Sequence, residues 1–116
     1  MRKIFHLANC NTCQRIIKEI NQDSSFELQN IKEEKITGAQ LDEMKQMAGT
    51  YEALFSRRAM KYRAMELHLT ELNEKDYRKH ILEEYTFLKR PVIIIDNEIF
   101  IGNSKKVVAA AIEKSN

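Results

Sequence analysis

The first third of the chain alternates between strand-like and helix-like hydrophobic patterns. Residues 2–7 have the composition of a short strand, and residues 26–31 alternate apolar and polar side chains as a half-buried strand does. Between them, apolar side chains recur at helical spacing, at Cys13, Ile16, Ile17 and Ile20. The pattern predicts a helix that begins near Asn11 and ends before Asp23. A strand–helix–strand segment of this length favours parallel pairing of the two strands through a right-handed crossover.

The middle of the chain has the pattern of several helices. Thr37 and Gln40 form a capping-box signature, and Gly49 is placed to end the helix that follows. Residues 51–55 and 60–69 predict two further short helical pieces. Asn73 is placed to cap a longer helix with an apolar stripe at Tyr77, Ile81, Leu82, Tyr85 and Leu88. The methionines of this region are predicted to fill the core, at Met44, Met47, Met60 and Met65.

The last third returns to strands after Arg90-Pro91. Residues 92–95 are β-branched throughout and predict a buried central strand, and residues 98–101 predict a second strand across a tight turn. Ser104 is placed to cap a final helix. The order β-α-β, helices, β-β-α predicts an α/β fold, a thioredoxin-like mixed sheet. We expect a single domain over residues 1–116, with residues 37–88 as a helical insertion between its two halves.

Composition and charge exclude several classes of protein. The chain has 116 residues, of which 43% are hydrophobic and 31% charged, as in an ordinary globular domain. The formal net charge of +2 does not favour nucleic acid or an anionic membrane as a partner. The longest apolar run, residues 92–95, is far shorter than a membrane span, and no leader pattern opens the chain. These observations predict a cytoplasmic protein.

Both cysteines lie in one tetrapeptide, Cys10-Asn11-Thr12-Cys13. A thiol at a helix N-terminus meets unsatisfied N–H groups and the positive end of the helix dipole, so the pKa of Cys10 is expected to be low. Cys13, one turn later, lies within disulfide reach and belongs to the apolar stripe. The spacing therefore predicts Cys10 as the attacking thiol and Cys13 as a more buried resolving thiol. Packing cysteines or half of a metal site are the alternatives; no histidine has ligand spacing to another, so no metal is predicted.

Pro91 is the only proline, and it stands directly before the third predicted strand. Thioredoxin-like folds place a cis-proline there, facing the reactive cysteine, where it positions the substrate. A native cis-proline is uncommon and usually kept for a reason. Pro91 is therefore predicted to position the substrate, and the alternative is a plain strand-start proline.

Four segments in this order and spacing resemble the arsenate reductase family, which includes the Spx-type redox regulators. They are residues 5–13, 54–63, 88–93 and 101–102, and together they span nearly the whole chain. The resemblance implies that Cys10 is the nucleophile and that arginines hold the oxyanion substrate, since guanidinium forks bind its oxygens in pairs. Arg90 matches one such arginine, and Arg58 matches a second, or Arg57 if the register slips. His6 matches a family histidine four residues before the nucleophile, and we expect it to stabilise the thiolate as a nearby cation or as a hydrogen-bond donor; the alternative is a strand-end histidine with no role.

The sequence departs from the reductases at three positions. Asn103 stands near the third arginine position, and Gln14 stands where reductases often carry arginine. Cys13 stands where the glutathione-linked reductases commonly have serine; a cysteine there is a feature of the Spx-type regulators. These differences bear on whether arsenate itself is the substrate.

Three functions follow from the resemblance and the cysteine pair. The first is a thiol-dependent reductase in which Cys10 acts on an oxyanion or a disulfide, linked to glutathione and glutaredoxin, with Arg58 and Arg90 binding the substrate. The second is an Spx-type redox switch that binds RNA polymerase through the helical insertion or a surface near Gly49. The third is a general glutaredoxin-like oxidoreductase. No bound cofactor is expected, and glutathione is the candidate co-substrate.

Overall fold

A computed structural model describes all 116 residues of the chain. Contacts between residues divide the chain into two compact units. The first unit comprises Met1–Lys35 and Arg90–Asn116, and the second comprises Ile36–Lys89. The predicted arrangement as one domain with an insertion at 37–88 stays a prediction, and each unit is described by itself.

A four-stranded sheet forms the centre of the first unit. Its strands are β1 (Arg2–His6), β2 (Glu27–Asn30), β3 (Val92–Ile95) and β4 (Glu98–Ile101), arranged in the order β2-β1-β3-β4. The β1 and β2 strands pair in parallel, whereas β3 pairs antiparallel with both β1 and β4. The predicted parallel crossover, antiparallel hairpin and mixed α/β sheet are therefore confirmed.

Two helices of the first unit cover the sheet with apolar side chains. They are α1 (Asn11–Ile20) and α5 (Lys105–Ser115), and the hydroxyl of Ser104 caps α5 by accepting from the N–H of Val107 at 3.2 Å. The stripe predicted for α1 is buried. Its three isoleucines pack in one cluster with Phe26 and with side chains of β1, β3 and α5: Ile4, Ile16, Ile17, Ile20, Phe26, Ile93, Ile95, Val108 and Ala111. This cluster fixes α1, and with it the CxxC, against the sheet.

The second unit is helical. It contains α2 (Gly38–Ala48), α3 (Met60–Ala64) and α4 (Glu74–Glu83), with single 3₁₀ turns at Glu52–Leu54, Leu67–Leu69 and Tyr85–Phe87. Complete capping boxes open α2 at Thr37 and α4 at Asn73. Gly49 ends α2 with a φ of 98°, a conformation that favours glycine.

Two polar clusters tie these helices together. The Arg78 guanidinium on α4 donates to both carboxylate oxygens of Asp42 on α2, at 2.8 and 3.2 Å, and the Tyr51 hydroxyl donates to the same carboxylate. Farther along, Arg57 donates to Glu52 at 2.7 Å and to the Tyr77 hydroxyl at 2.9 Å. Both clusters connect residues distant in sequence, so they fix the loop that follows α2.

Two sequence expectations for this unit are wrong. The apolar stripe predicts that α4 continues to Leu88, but the helix ends at Glu83. Glu84 is extended, and its carboxylate accepts from the N–H of Thr86 and so opens a separate 3₁₀ turn. Of the four methionines predicted in the core, only Met44 is fully buried; Met60 is 90% exposed. No helix in the structure has the length and apolar character to cross a membrane.

Candidate active site around Cys10

Cys10 occupies the N-cap of α1, as the sequence predicts. Its backbone is extended, its N–H donates to the Leu7 carbonyl at 3.1 Å, and its own carbonyl accepts from the N–H of Gln14 at 3.0 Å. The side chain is half-buried. Its thiol therefore lies at the open end of the helix, where unpaired N–H groups favour a negative charge.

The surroundings of Cys10 lower the pKa of its thiol. Desolvation alone raises that pKa, but several contacts together outweigh it. These are hydrogen bonds with the Cys13 backbone, the Cys13 thiol and the Thr12 backbone, and the positive charge of Arg90. Hydrogen bonds to the charged form stabilise a thiolate, so Cys10 ionises more readily than an ordinary cysteine.

Cys13 is fully buried and lies in hydrogen-bond contact with Cys10. The pKa of Cys13 is raised to about 11, chiefly by desolvation; hydrogen bonding to the Leu7 backbone opposes this rise, and the neighbouring Cys10 adds to it. The two thiols are close and both are free. At neutral pH Cys10 is thus the better nucleophile, and Cys13 is a protonated thiol beside it.

Arg90 and Pro91 lie directly before β3 in the first unit. The positive charge of Arg90 acts on both cysteines: it contributes to the lowered pKa of Cys10 and opposes the rise in the pKa of Cys13. The Arg90–Pro91 peptide bond is cis, and Pro91 is buried directly before β3. The Pro91 carbonyl accepts from the N–H of Gly102 at 2.9 Å, which fixes the start of β3 against the end of β4. The predicted cis-proline is therefore present, and its role toward a substrate stays a prediction.

His6 ends β1 and is 7% exposed. Desolvation lowers its pKa, opposed by a hydrogen bond with the Leu7 backbone, so the neutral imidazole is favoured. The buried Nδ1 atom has no hydrogen-bond partner. This environment suits a hydrogen-bonding role better than that of a nearby cation. Its action on Cys10 stays a prediction.

The sequence leaves a choice between two neighbouring arginines, Arg57 and Arg58, and their contacts within the second unit differ. Arg57 is occupied, because it is paired with Glu52 and lies against the Tyr77 ring. Arg58 lies in the exposed turn before α3, and no ion pair within this unit holds it. Arg58 is therefore the arginine that remains available for an anion. Within either unit, no group of three or more His, Cys, Asp or Glu side chains converges as metal ligands.

Two polar side chains that the sequence does not mark as site residues hold the loop before Cys10. The Gln14 amide donates to the Ala8 carbonyl at 3.1 Å and to the Leu7 carbonyl at 3.5 Å. The Asn30 side-chain oxygen, at the end of β2, accepts from the N–H of Ala8 at 3.3 Å. In the sequence, Gln14 differs from the arginine that reductases of the family often carry at this position, and nothing else marks it. Asn30 carries no sequence signal, because its role depends on the parallel pairing of β1 and β2.

Fold and site together define a thioredoxin-like thiol protein with a dithiol at the start of its first helix. The ArsC family profile matches residues 5–111, and the chain belongs to the ArsC family. It is a thiol redox protein of the arsenate reductase family, whose members use thiol donors such as glutaredoxin or thioredoxin. No curated protein matches the chain significantly.

Solved structures share the fold at low sequence identity. The YffB (PA3664) protein has a TM-score of 0.81 at 18% identity, over 97% of this chain and 99% of its own. An arsenate reductase from Vibrio cholerae has a TM-score of 0.79 at 13% identity, over 97% of this chain and 95% of its own. An arsenate reductase (ArsC) related protein from Brucella melitensis has a TM-score of 0.72 at 20% identity, over 94% and 92%. These likenesses confirm the thioredoxin-like fold.

Proposed function

We propose that this protein is a thiol-dependent reductase in which Cys10 attacks an oxyanion or a disulfide. One observation carries the proposal: a half-buried thiol with a lowered pKa caps α1, beside the positive charge of Arg90 and a second, buried thiol. A catalytic thiol needs this combination, because the thiolate is the nucleophile and its charge must be stabilised without removing it from reach.

The proposed chemistry on arsenate balances in two steps. The Cys10 thiolate bonds to arsenic(V), and one oxygen leaves as water after protonation. A second thiolate then attacks the Cys10 sulfur and breaks the sulfur–arsenic bond, and the bonding electron pair stays on arsenic. Arsenic gains two electrons and becomes arsenic(III), while the two thiols lose two electrons and form a disulfide.

Two thiols are candidates for that second step. Glutathione would form a mixed disulfide with Cys10, which glutaredoxin then reduces by thiol–disulfide exchange. Cys13 would form an internal disulfide, which the contact between the two side chains favours. We propose that glutathione and glutaredoxin regenerate the enzyme in either case, because an internal disulfide is still reduced by attack of an external thiol on the accessible Cys10 sulfur.

Arg90 and Arg58 are proposed to bind the substrate's oxygens. Arg90 lies near Cys10. Its positive charge would also stabilise the negative charge that develops on the substrate's oxygens as the sulfur attacks. Arg58 is the unoccupied arginine of its pair in the second unit. His6 is proposed to assist the thiolate as a neutral hydrogen-bonding group, and Pro91 to position the substrate.

The deciding experiment couples turnover to NADPH oxidation through glutathione, glutathione reductase and glutaredoxin. Arsenate is tested with the full coupling system, and bis(2-hydroxyethyl) disulfide is tested without glutaredoxin, which would itself reduce that disulfide with glutathione. We expect turnover of at least one of them by wild type and none by Cys10→Ser, which lacks the sulfur. Cys13→Ser retains turnover if glutathione supplies the second thiol, and loses it if Cys13 does.

The same experiment tests a second candidate, the Spx-type switch, which the direct contact between the two thiols favours. A reversible Cys10–Cys13 disulfide without turnover of either substrate would contradict the reductase and favour the switch. RNA polymerase is the partner to test in that case, by capture with the reduced and the oxidised protein.

A further inference from the structure

The side chain of Gln14 connects the first turn of α1 back to the loop that precedes it. Its amide donates to two consecutive carbonyls, Leu7 at 3.5 Å and Ala8 at 3.1 Å. A helix side chain usually extends into solvent or along its own helix. This one instead closes a ring in which the loop, the N-cap and the first turn are hydrogen-bonded to one another.

The Leu7 backbone, which Gln14 holds, contacts the backbone of Cys10 and affects the side chains of Cys13 and His6. Its carbonyl accepts from the N–H of Cys10 at 3.1 Å. Hydrogen bonding with the Leu7 backbone also shifts the pKa values of Cys13 and His6. A rotation of the Leu7–Ala8 peptide, which carries this carbonyl, would therefore displace the N-cap backbone of Cys10 and change the surroundings of its thiol.

Only one other side chain restrains the loop. Asn30 accepts from the N–H of Ala8 at 3.3 Å. Ala8 and Asn9 are exposed, so packing does not hold their backbone. Without the Gln14 amide, the Ala8 carbonyl loses its protein donor and water replaces it without fixing its direction, while the Leu7 carbonyl keeps the N–H of Cys10.

We propose that Gln14 is a positioning residue, which sets the reactivity of Cys10 by fixing the Leu7 and Ala8 carbonyls. The inference rests on the proposed role of Cys10 as the reactive thiol, and in it Gln14 acts through the loop backbone. The lowered pKa of Cys10 fits it, because the hydrogen bonds behind that shift require Cys10 to stay at the N-cap.

The test is the pH dependence of the rate at which iodoacetamide alkylates Cys10, measured in a Cys13→Ser background. Gln14→Met keeps the length of the side chain and its neutrality but removes both donors. We expect the apparent pKa of Cys10 to rise and the alkylation rate at pH 7 to fall about three- to tenfold, since the rate follows the thiolate fraction. Gln14→Ala repeats the measurement with the strongest helix-forming residue, in case the methionine variant does not fold.

Gln14→Arg is the rescue variant, because a guanidinium retains donors that reach the two carbonyls. Arginine also adds a charge, so its profile is measured at low and at high salt: screening removes the effect of the exposed charge but leaves the hydrogen bonds. We expect a profile close to wild type at high salt. Gln46→Met, at an exposed helix position with no hydrogen bond, is the matched control.

Two results would overturn the inference. One is a wild-type profile in Gln14→Met or Gln14→Ala, whatever their melting temperature. The other is an equal shift in Gln46→Met, which would make the effect unspecific. Failure of the proposed function would give a different result from these two. The wild type would then show an ordinary thiol pKa or no turnover, while the shift in the Gln14 variants is still measured.

Discussion

At the scale of single residues, position on α1 makes the two thiols chemically different. Cys10 is half-buried at the helix end, whereas Cys13 is buried one turn later with a pKa raised to about 11. The sequence predicts this difference, because the apolar stripe includes Cys13 and excludes Cys10. It could not predict the Gln14 and Asn30 contacts, since they depend on where the loop backbone turns.

The two adjacent arginines give a prediction at the same scale. Arg58→Ala should lower kcat/KM for the oxyanion about a hundredfold, because one lost group that stabilises transition-state charge typically costs that much. Arg57→Ala is the matched control. It should retain turnover, because Arg57 is paired with Glu52 and Tyr77. Steady-state kinetics on both variants checks this. A larger loss in Arg57→Ala would show that the other register of the sequence match is correct.

At the scale of elements, capping chemistry could be predicted and one helix end could not. The Thr37 box and the Asn73 cap lie where the sequence places them, and the structure adds Asp76 to make the latter a complete box. The end of α4 at Glu83 does not follow from the apolar stripe, which continues to Leu88. Glu84 ends the helix by capping a new turn at Thr86, and Lys61, 23 residues away in sequence, binds its carboxylate at 2.6 Å. Helical periodicity in the sequence cannot reveal a partner so distant along the chain.

The tie between α2 and α4 gives a prediction about pH. The hydrogen bonds from Arg78 and Tyr51 lower the pKa of Asp42 to about 2, below the value of about 3.9 in an unfolded chain. The folded state therefore gains stability from this carboxylate above about pH 4 and loses it as the pH falls toward about 2.

Asp42→Asn should accordingly lower Tm at pH 7 and flatten the fall of Tm between about pH 4 and about pH 2. The effect at pH 7 should be small and should shrink in high salt, since the pair is partly exposed. Thermal unfolding followed by circular dichroism measures it. Glu43→Gln, on the same helix but exposed and without a hydrogen bond, is the control. Parallel pH profiles for wild type and Asp42→Asn would contradict the assignment.

At the scale of the whole molecule, the order of elements determines the class of fold. The strand patterns predict which residues pair and in which direction, because helix-connected strands favour parallel pairing and a two-residue turn requires antiparallel pairing. The strand order β2-β1-β3-β4 places β1 and β3 inside the sheet. Arg58 belongs to the second unit, and local patterns could identify it only through the family resemblance.

The apolar cluster of the first unit gives a prediction on stability. Ile93 is fully buried on β3 among side chains of α1 and α5. Ile93→Ala should lower the free energy of unfolding by about 2–5 kcal/mol, from lost burial and the cavity left behind. Urea denaturation measures it. Leu28→Ala, on β2 with 43% exposure, should cost much less, and equal costs would contradict the cluster as the core of this unit.

The burial of Cys13 has a consequence for the protein under oxidative stress. Peroxide would reach Cys10 first and convert its thiolate to a sulfenic acid, which further peroxide drives to irreversible sulfinic and sulfonic acids. We expect the shielded Cys13 thiol, which lies in contact with that sulfur, to condense with the sulfenic acid, releasing water and forming a disulfide that thiols can reduce. A neighbour too buried to react with peroxide directly would thus protect the reactive cysteine from permanent damage.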